Sequence, residues 1–137
     1  MNKLIILILA LCAFSGYAQV RTPAPGNAEL YFISPADGAT LSNPISIRFG
    51  LKNMGVAPAG IQYENTGHHH LLVDTDVPPV NLPIITDGNH LHFGKGQTEA
   101  ILDLSPGVHT LQLLLGDFVH IPHEPAVMSK QITITVE

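Results

Sequence analysis

Long apolar runs are scarce in this sequence. The longest, from Leu4 to Phe14, is followed by a short segment that ends in Ala18. About 20 apolar residues are needed to cross a bilayer, so this run is too short to span one and is typical of a secretory signal peptide. We therefore expect residues 1–18 to be removed by cleavage after Ala18. The product is predicted to be periplasmic or secreted.

Cysteine is nearly absent. The one cysteine, Cys12, lies inside the predicted signal peptide, and the bulky Leu11 before it argues against lipid attachment. Without Cys12 the mature chain has no thiol, which excludes disulfides and thiolate metal sites. Any metal ion would be held by nitrogen and oxygen.

Basic charge is also scarce. The chain has six Lys and Arg against eleven Asp and Glu, a formal net charge of −5. Nucleic acids and anionic membranes are bound by basic surfaces. We therefore expect neither nucleic acid nor a membrane as a partner.

Helical signals are missing, since no window combines a period of about 3.6 residues with capping residues. Proline and glycine instead punctuate short runs that favour strands, of which residues 45–49 alternate apolar and polar. This pattern predicts an all-β fold, an immunoglobulin-like antiparallel β-sandwich of about seven strands. We expect residues 19–28 to be a flexible lead-in and residues 29–137 to form one domain.

One position sharpens the fold prediction. Immunoglobulin-like sandwiches often have a corner tyrosine near the start of a late strand, bonded to the backbone just upstream. Here His109 follows Pro106-Gly107 at such a corner, in phase with the apolar Leu111. We predict that His109 is structural.

Histidine is what the chain has in abundance. Seven of the eight histidines fall into three short clusters, at 68–70, 90–92 and 120–123. Imidazole is the commonest metal ligand and titrates near physiological pH, so the pattern indicates a metal or proton site. Nitrogen ligands in this number suit Cu or Zn.

Strand geometry divides the first cluster. On an extended strand His68 and His70 share one face, while His69 joins Leu71 and Val73 on the face that we expect to be the core. The predicted metal ligands are His68, His70, His92, His120 and His123, with His69 and His90 in reserve. The acidic residues predicted to orient their rings are Asp74, Glu99, Asp117 and Glu124.

Several segments carry a resemblance to a known family, namely residues 67–74, 90–100, 106–113, 120–123 and 125–129. They resemble small secreted bacterial His-rich proteins known as domain of unknown function 4399. The resemblance implies an exported bacterial domain without an assigned activity. A weaker similarity, through Ser34 to Leu41, is to periplasmic copper carriers with an immunoglobulin-like fold, and it supports the fold more than the metal.

Two functions from different classes remain open. The first is a non-enzymatic metal-binding protein that buffers or delivers Cu or Zn. The second is a non-catalytic immunoglobulin-like structural or interaction module, with structural histidines and an unknown protein partner. An enzyme is less favoured, because the sequence has no Ser or Cys nucleophile arrangement and predicts no catalytic residue or organic cofactor.

Overall fold

The computed structural model of the chain describes residues 20–137. The predicted signal peptide, its cleavage site after Ala18 and Cys12 therefore lie outside the described residues. Within the described part, no helix is long and apolar enough to cross a membrane.

Strands form the framework of residues 20–137, which contain no helix. The nine strands are β1 (Glu29–Ser34), β2 (Thr40–Leu41), β3 (Ile45–Lys52), β4 (Gly55–Val56), β5 (Thr66–Val73), β6 (His90–His92), β7 (Glu99–Leu102), β8 (Gly107–Gly116) and β9 (Ile132–Val136). The predicted all-β sandwich is confirmed. The count exceeds about seven because β2 and β4 are two residues long, too short for an alternating pattern to reveal.

The strands form two sheets, one in the order β1-β3-β7 and one in the order β2-β9-β8-β5-β4, with β6 also paired to β5. In immunoglobulin domains strands A, B and E share one sheet, while C, F and G share the other. Strands β1, β3 and β7 take the first set of places, and β5, β8 and β9 the second. The ladders are antiparallel except for the short pairs β2 with β9 and β4 with β5.

The core lies between the two sheets. In β3 the buried Ile45, Ile47 and Phe49 alternate with exposed residues, as a strand with one wet face requires. They pack in one cluster with Leu71 of β5 and Leu113 of β8. Burying an aliphatic or aromatic side chain contributes about 1.5–3 kcal/mol, so this cluster supplies most of the drive to fold.

Strand β5 is buried on both faces, unlike β3. From Gly67 to Val73 every residue is buried, including those whose side chains point away from the core. The loops after β5 and β8 cover this second face, where Ile84 donates a backbone hydrogen bond to the carbonyl of His120 (2.8 Å). Side chains of β5 on this face are therefore enclosed between a sheet and two loops.

The corner predicted at His109 is present at the start of β8. Its Nε2 lies 2.8 Å from the carbonyl oxygen of Ser105, and its Nδ1 lies 2.6 Å from Oδ2 of Asp74. Both ring nitrogens are therefore used, one to close the corner and one to hold the residue after β5. The structural role predicted for His109 is confirmed.

Part of the segment predicted to be a flexible lead-in makes defined contacts. Ala24 donates its amide to the carbonyl of Glu124 (3.0 Å), and Glu124 donates its own to the carbonyl of Thr22 (2.9 Å). Residues 22–24 thereby run beside the segment that follows His120.

Candidate functional site: a buried histidine cluster

Strand β5 places two imidazoles side by side on its second face. His68 and His70 are both fully buried, and their ring centroids are 4.8 Å apart. His69 points to the opposite face, where its ring lies 5.0 Å from that of Phe49 in the core. The division of the triplet predicted from strand alternation is confirmed.

Strand β6 adds a third imidazole. In the antiparallel ladder His92 is the direct partner of His70, and such cross-strand pairs bring side chains on one face together. The ring centroid of His92 is 5.1 Å from that of His70 and 5.0 Å from that of His68.

The turn after β8 adds a fourth. The ring centroid of His120 lies 4.9 Å from that of His68, 4.8 Å from that of His92 and 6.1 Å from that of His70. The backbone of His120 has φ of 70°, a left-handed conformation that side-chain-bearing residues seldom adopt. We call His68, His70, His92 and His120 the histidine cluster.

The ring nitrogens of the cluster are close together and lack partners. One nitrogen from each of His68, His70 and His92 lies within 4.8 Å of the other two, a spacing that could hold a metal ion. Both ring nitrogens of His68 and of His70, and Nε2 of His92, are buried with no hydrogen-bond partner. Each unpartnered buried polar group costs about 1–3 kcal/mol, so a site with several of them indicates a ligand that would satisfy them.

The same enclosure keeps three of these rings, those of His68, His70 and His92, neutral. Burial, reinforced by the neighbouring imidazoles, lowers the pKa of His68 to about 4 and that of His70 to about 2. Burial and the nearby His120 also lower the pKa of His92. Neutral imidazole is the form that donates a lone pair to a metal, so His68, His70 and His92 are in their metal-binding state at neutral pH.

Glycines make the room for these rings. A methyl group at Gly116 would lie 2.8 Å from Cε1 of His70, and one at Gly94 would lie 2.3 Å from Cε1 of His92. Such approaches are well below van der Waals contact, so any larger residue would displace the rings. Sequence reasoning missed both glycines, although a glycine inside or beside a strand signals the close approach of another group.

His123, predicted as a ligand, lies outside the cluster. It is fully buried, and its Nε2 lies 3.0 Å from the carbonyl oxygen of Thr66, where it donates a hydrogen bond. Its ring packs against Gly67, where a methyl group would come 2.9 Å from Cε1. Four of the five predicted ligands are thus brought together and the fifth is not.

The two histidines held in reserve also lie apart from the cluster. Nδ1 of His69 lies 3.2 Å from the carbonyl oxygen of Gln97 on the core side of the sheet. Nδ1 of His90 lies 2.8 Å from Oδ1 of Asp87. These rings serve as polar contacts between strand and loop.

Three of the four acidic residues predicted to orient the ligand rings make their hydrogen bonds or ion pairs with other groups. Asp74 bonds the corner histidine His109, and Glu124 pairs with Arg21. Asp117 accepts backbone amides of its own turn. Sequence spacing alone did not show that these three carboxylates have hydrogen-bond or ion-pair partners other than the rings of the cluster.

The fold and the site together define an all-β sandwich with a largely enclosed cluster of four imidazoles beneath two loops. Residues 47–137 match the family described as Domain of unknown function (DUF4399), and the chain belongs to that family. All four residues of the cluster lie within the matched segment. No curated protein and no solved structure matches the chain.

Proposed function

We propose that this protein binds one transition-metal ion at the histidine cluster, with His68, His70 and His92 as ligands and His120 as the fourth. The observation that carries the proposal is the set of buried ring nitrogens, within 4.8 Å of one another, that have no hydrogen-bond partner. A metal ion would satisfy them at once. The histidines outside the cluster differ, since each of His69, His90, His109 and His123 has at least one ring nitrogen in a hydrogen bond, whereas His68 and His70 have none.

The ligand set favours Cu(II) or Zn(II). All four candidate ligands are imidazoles, which suit these two ions, whereas Mg²⁺ and Ca²⁺ prefer oxygen. Bonds of about 2.0–2.1 Å hold two ligand nitrogens no more than about 4.2 Å apart, so small ring movements would close the 4.8 Å spacing around an ion.

The closed ligand set supports holding the ion rather than catalysis. Catalytic zinc sites keep an open position for water or substrate, while four protein ligands fill a tetrahedral shell. His68 and His70 are fully buried, which further restricts access by a substrate. We propose that the protein buffers or delivers Cu or Zn after export to the periplasm or the cell exterior, consistent with the predicted signal peptide.

The test is metal analysis of the untagged mature chain, purified from its native compartment. We expect close to one Cu or Zn per chain, and add-back of that ion to the stripped protein should raise its melting temperature. A ligand at 100 times its Kd stabilises a protein by about 2.7 kcal/mol, which is easily resolved. Neither bound metal nor stabilisation by Cu(II), Zn(II), Ni(II) or Fe(II) would overturn the proposal.

Histidine-to-alanine variants test which residues bind the metal ion. His70→Ala and His92→Ala should each weaken binding at least about tenfold, because each removes one ligand. His90→Ala is the matched control, since its ring contacts Asp87 outside the cluster. Equal weakening by His90→Ala would show that loss of any nearby histidine disturbs the sheet.

A further inference from the structure

Only one member of the histidine cluster is carried by a turn. His68, His70 and His92 project from strands β5 and β6, whereas His120 lies in the turn between β8 and the segment beside the N-terminal residues. His68 and His70 are fully buried, while His92 and His120 are partly exposed. Because β-ladders hold the three strand-borne histidines, the turn is the ligand-bearing element that can move to admit or release an ion.

Asp117 holds this turn from within. Its side chain is 3% exposed, and Oδ1 accepts the amides of Val119 (3.0 Å) and Ile121 (2.9 Å). The carbonyl of Asp117 also accepts the amide of His120 (2.9 Å). These bonds close the backbone around His120 and fix its left-handed conformation.

The N-terminal segment secures Asp117 from outside. Thr22 donates its hydroxyl to Oδ2 of Asp117 at 2.6 Å, across 95 positions of sequence. Arg21 donates Nε to the carbonyl of Pro122 (3.0 Å) and pairs with Glu124. Arg21 and Thr22 thus bind both the first residue of the turn and the chain that follows it.

We propose that Thr22 and Asp117 form a latch that holds His120 in the cluster and sets how fast the bound ion leaves. The inference rests on the proposed metal site and adds a control element to it. Neither residue touches the ion. Both act as positioning residues through the turn. The sequence had indicated Asp117 as an acidic residue near the ligands, but it gave no indication of Thr22.

The first test measures release of Zn(II) and of Cu(II) from the loaded protein into excess chelator. Thr22→Val removes the hydroxyl and keeps the shape, and we expect release to accelerate about tenfold or more, the scale seen when partners of metal ligands are lost. Thr22→Ser keeps the hydroxyl and should restore the slow rate. Thr133→Val, at an exposed position of β9, is the matched control and should match the wild type.

A double-mutant cycle separates positioning from charge. Asp117→Asn removes a negative charge near the site as well as altering the latch, and both changes weaken cation binding. If Asp117 acts through His120, then Asp117→Asn should have no further effect on release in a His120→Ala background. An electrostatic effect would persist in that background.

A spectroscopic measurement checks the same point without rates. In the Cu(II)-loaded protein, electron paramagnetic resonance counts coordinated nitrogens, and Thr22→Val should show the signal of His120→Ala in a fraction of the molecules. Wild-type rates and spectra in both Thr22→Val and Asp117→Asn would overturn the latch and leave the metal site standing. Failure of the wild-type protein to bind either ion would overturn both proposals.

Discussion

The imidazole of His70 occupies space that only a glycine at position 116 leaves free. A methyl group there would lie 2.8 Å from Cε1 and 3.2 Å from Nδ1 of His70. Gly116 ends β8, directly across the ladder from His68 of β5. The backbone of one strand therefore forms the wall of the cluster built on the next.

Gly116→Ala should weaken metal binding at least about tenfold, because the added methyl group pushes the ring of His70 from its place. Overpacking of a filled interior costs about 1–3 kcal/mol, so the melting temperature should also fall. Isothermal titration of the stripped protein with Zn(II) measures the first effect and thermal unfolding the second.

Gly88→Ala is the control for this change, since a methyl group at Gly88 meets no atom within 4 Å. It should leave both affinity and stability close to those of the wild type. If Gly116→Ala binds Zn(II) as tightly as the control, then the position of the His70 ring does not matter for binding.

His123→Ala should lower stability while leaving metal affinity within about threefold of the wild type. The ring of His123 is fully buried and donates to the carbonyl of Thr66, so truncation leaves a cavity and an unpaired acceptor, at about 2–4 kcal/mol. Urea unfolding of the stripped protein measures the stability, and competition with a chelator measures the metal affinity. Loss of affinity equal to that of His70→Ala would instead make His123 a ligand.

Whether the sequence could predict a residue of the site depends on the kind of geometry that places its side chain there. The period of two in a strand is enough to put His68 and His70 on one face and His69 on the other. The choice of His92 over His90 needs the register of β6 on β5, which pairs His92 with His70. Register depends on contacts between strands that are distant in sequence, so a single pattern cannot show it.

The sequence could not show that His120 joins the cluster and His123 does not, because this depends on the backbone conformation of a turn. His120 reaches the cluster through a left-handed turn whose bonds come from Asp117, while His123 continues past it toward Gly67. The residues that hold this turn include Thr22, 95 positions from Asp117. Local composition around residues 19–28 predicted a lead-in and carried no sign of this contact.

The corner at His109 predicts that stability depends on pH above the usual histidine pKa of 6.5. The hydrogen bond that the ring donates to Asp74, and then that to the Ser105 carbonyl, raise the pKa of His109 above its usual 6.5. The folded state therefore holds this proton more tightly than the unfolded chain does. Its stabilising contribution is complete below about pH 6.5 and is lost as the pH rises through the higher folded pKa.

Asp74→Asn isolates this contribution. Asparagine tolerates the left-handed backbone at Asp74, where φ is 52°, so the change removes charge without adding strain. Urea unfolding across a pH series should give the wild type a larger free energy of unfolding than the variant below pH 6.5. The difference between the two should shrink at higher pH. A gap independent of pH would mean that the ring is neutral throughout and that Asp74 acts by hydrogen bonding alone.

The core-facing His69 predicts the opposite dependence, at lower pH. Burial lowers its pKa to about 4, against a smaller raising effect of the Gln97 carbonyl. Between pH 6.5 and that value the unfolded chain takes up a proton that the folded protein excludes, so stability falls as the pH falls. One such proton contributes a slope of about 1.4 kcal/mol per pH unit.

His69→Leu replaces the ring by an apolar side chain that fits beside Phe49 and removes this proton. The free energy of unfolding of the stripped variant should therefore decline less steeply between pH 6 and 4.5 than that of the wild type, by about 1.4 kcal/mol per pH unit at most. The remaining decline belongs to the other buried histidines, since burial also lowers the pKa of His68, His70, His92 and His123. An unchanged slope would show that His69 accepts a proton inside the folded domain, which its enclosure by the core argues against. Because Asp74→Asn changes the pH slope of stability only above about pH 6.5, the two variants together separate the corner histidine from the buried ones.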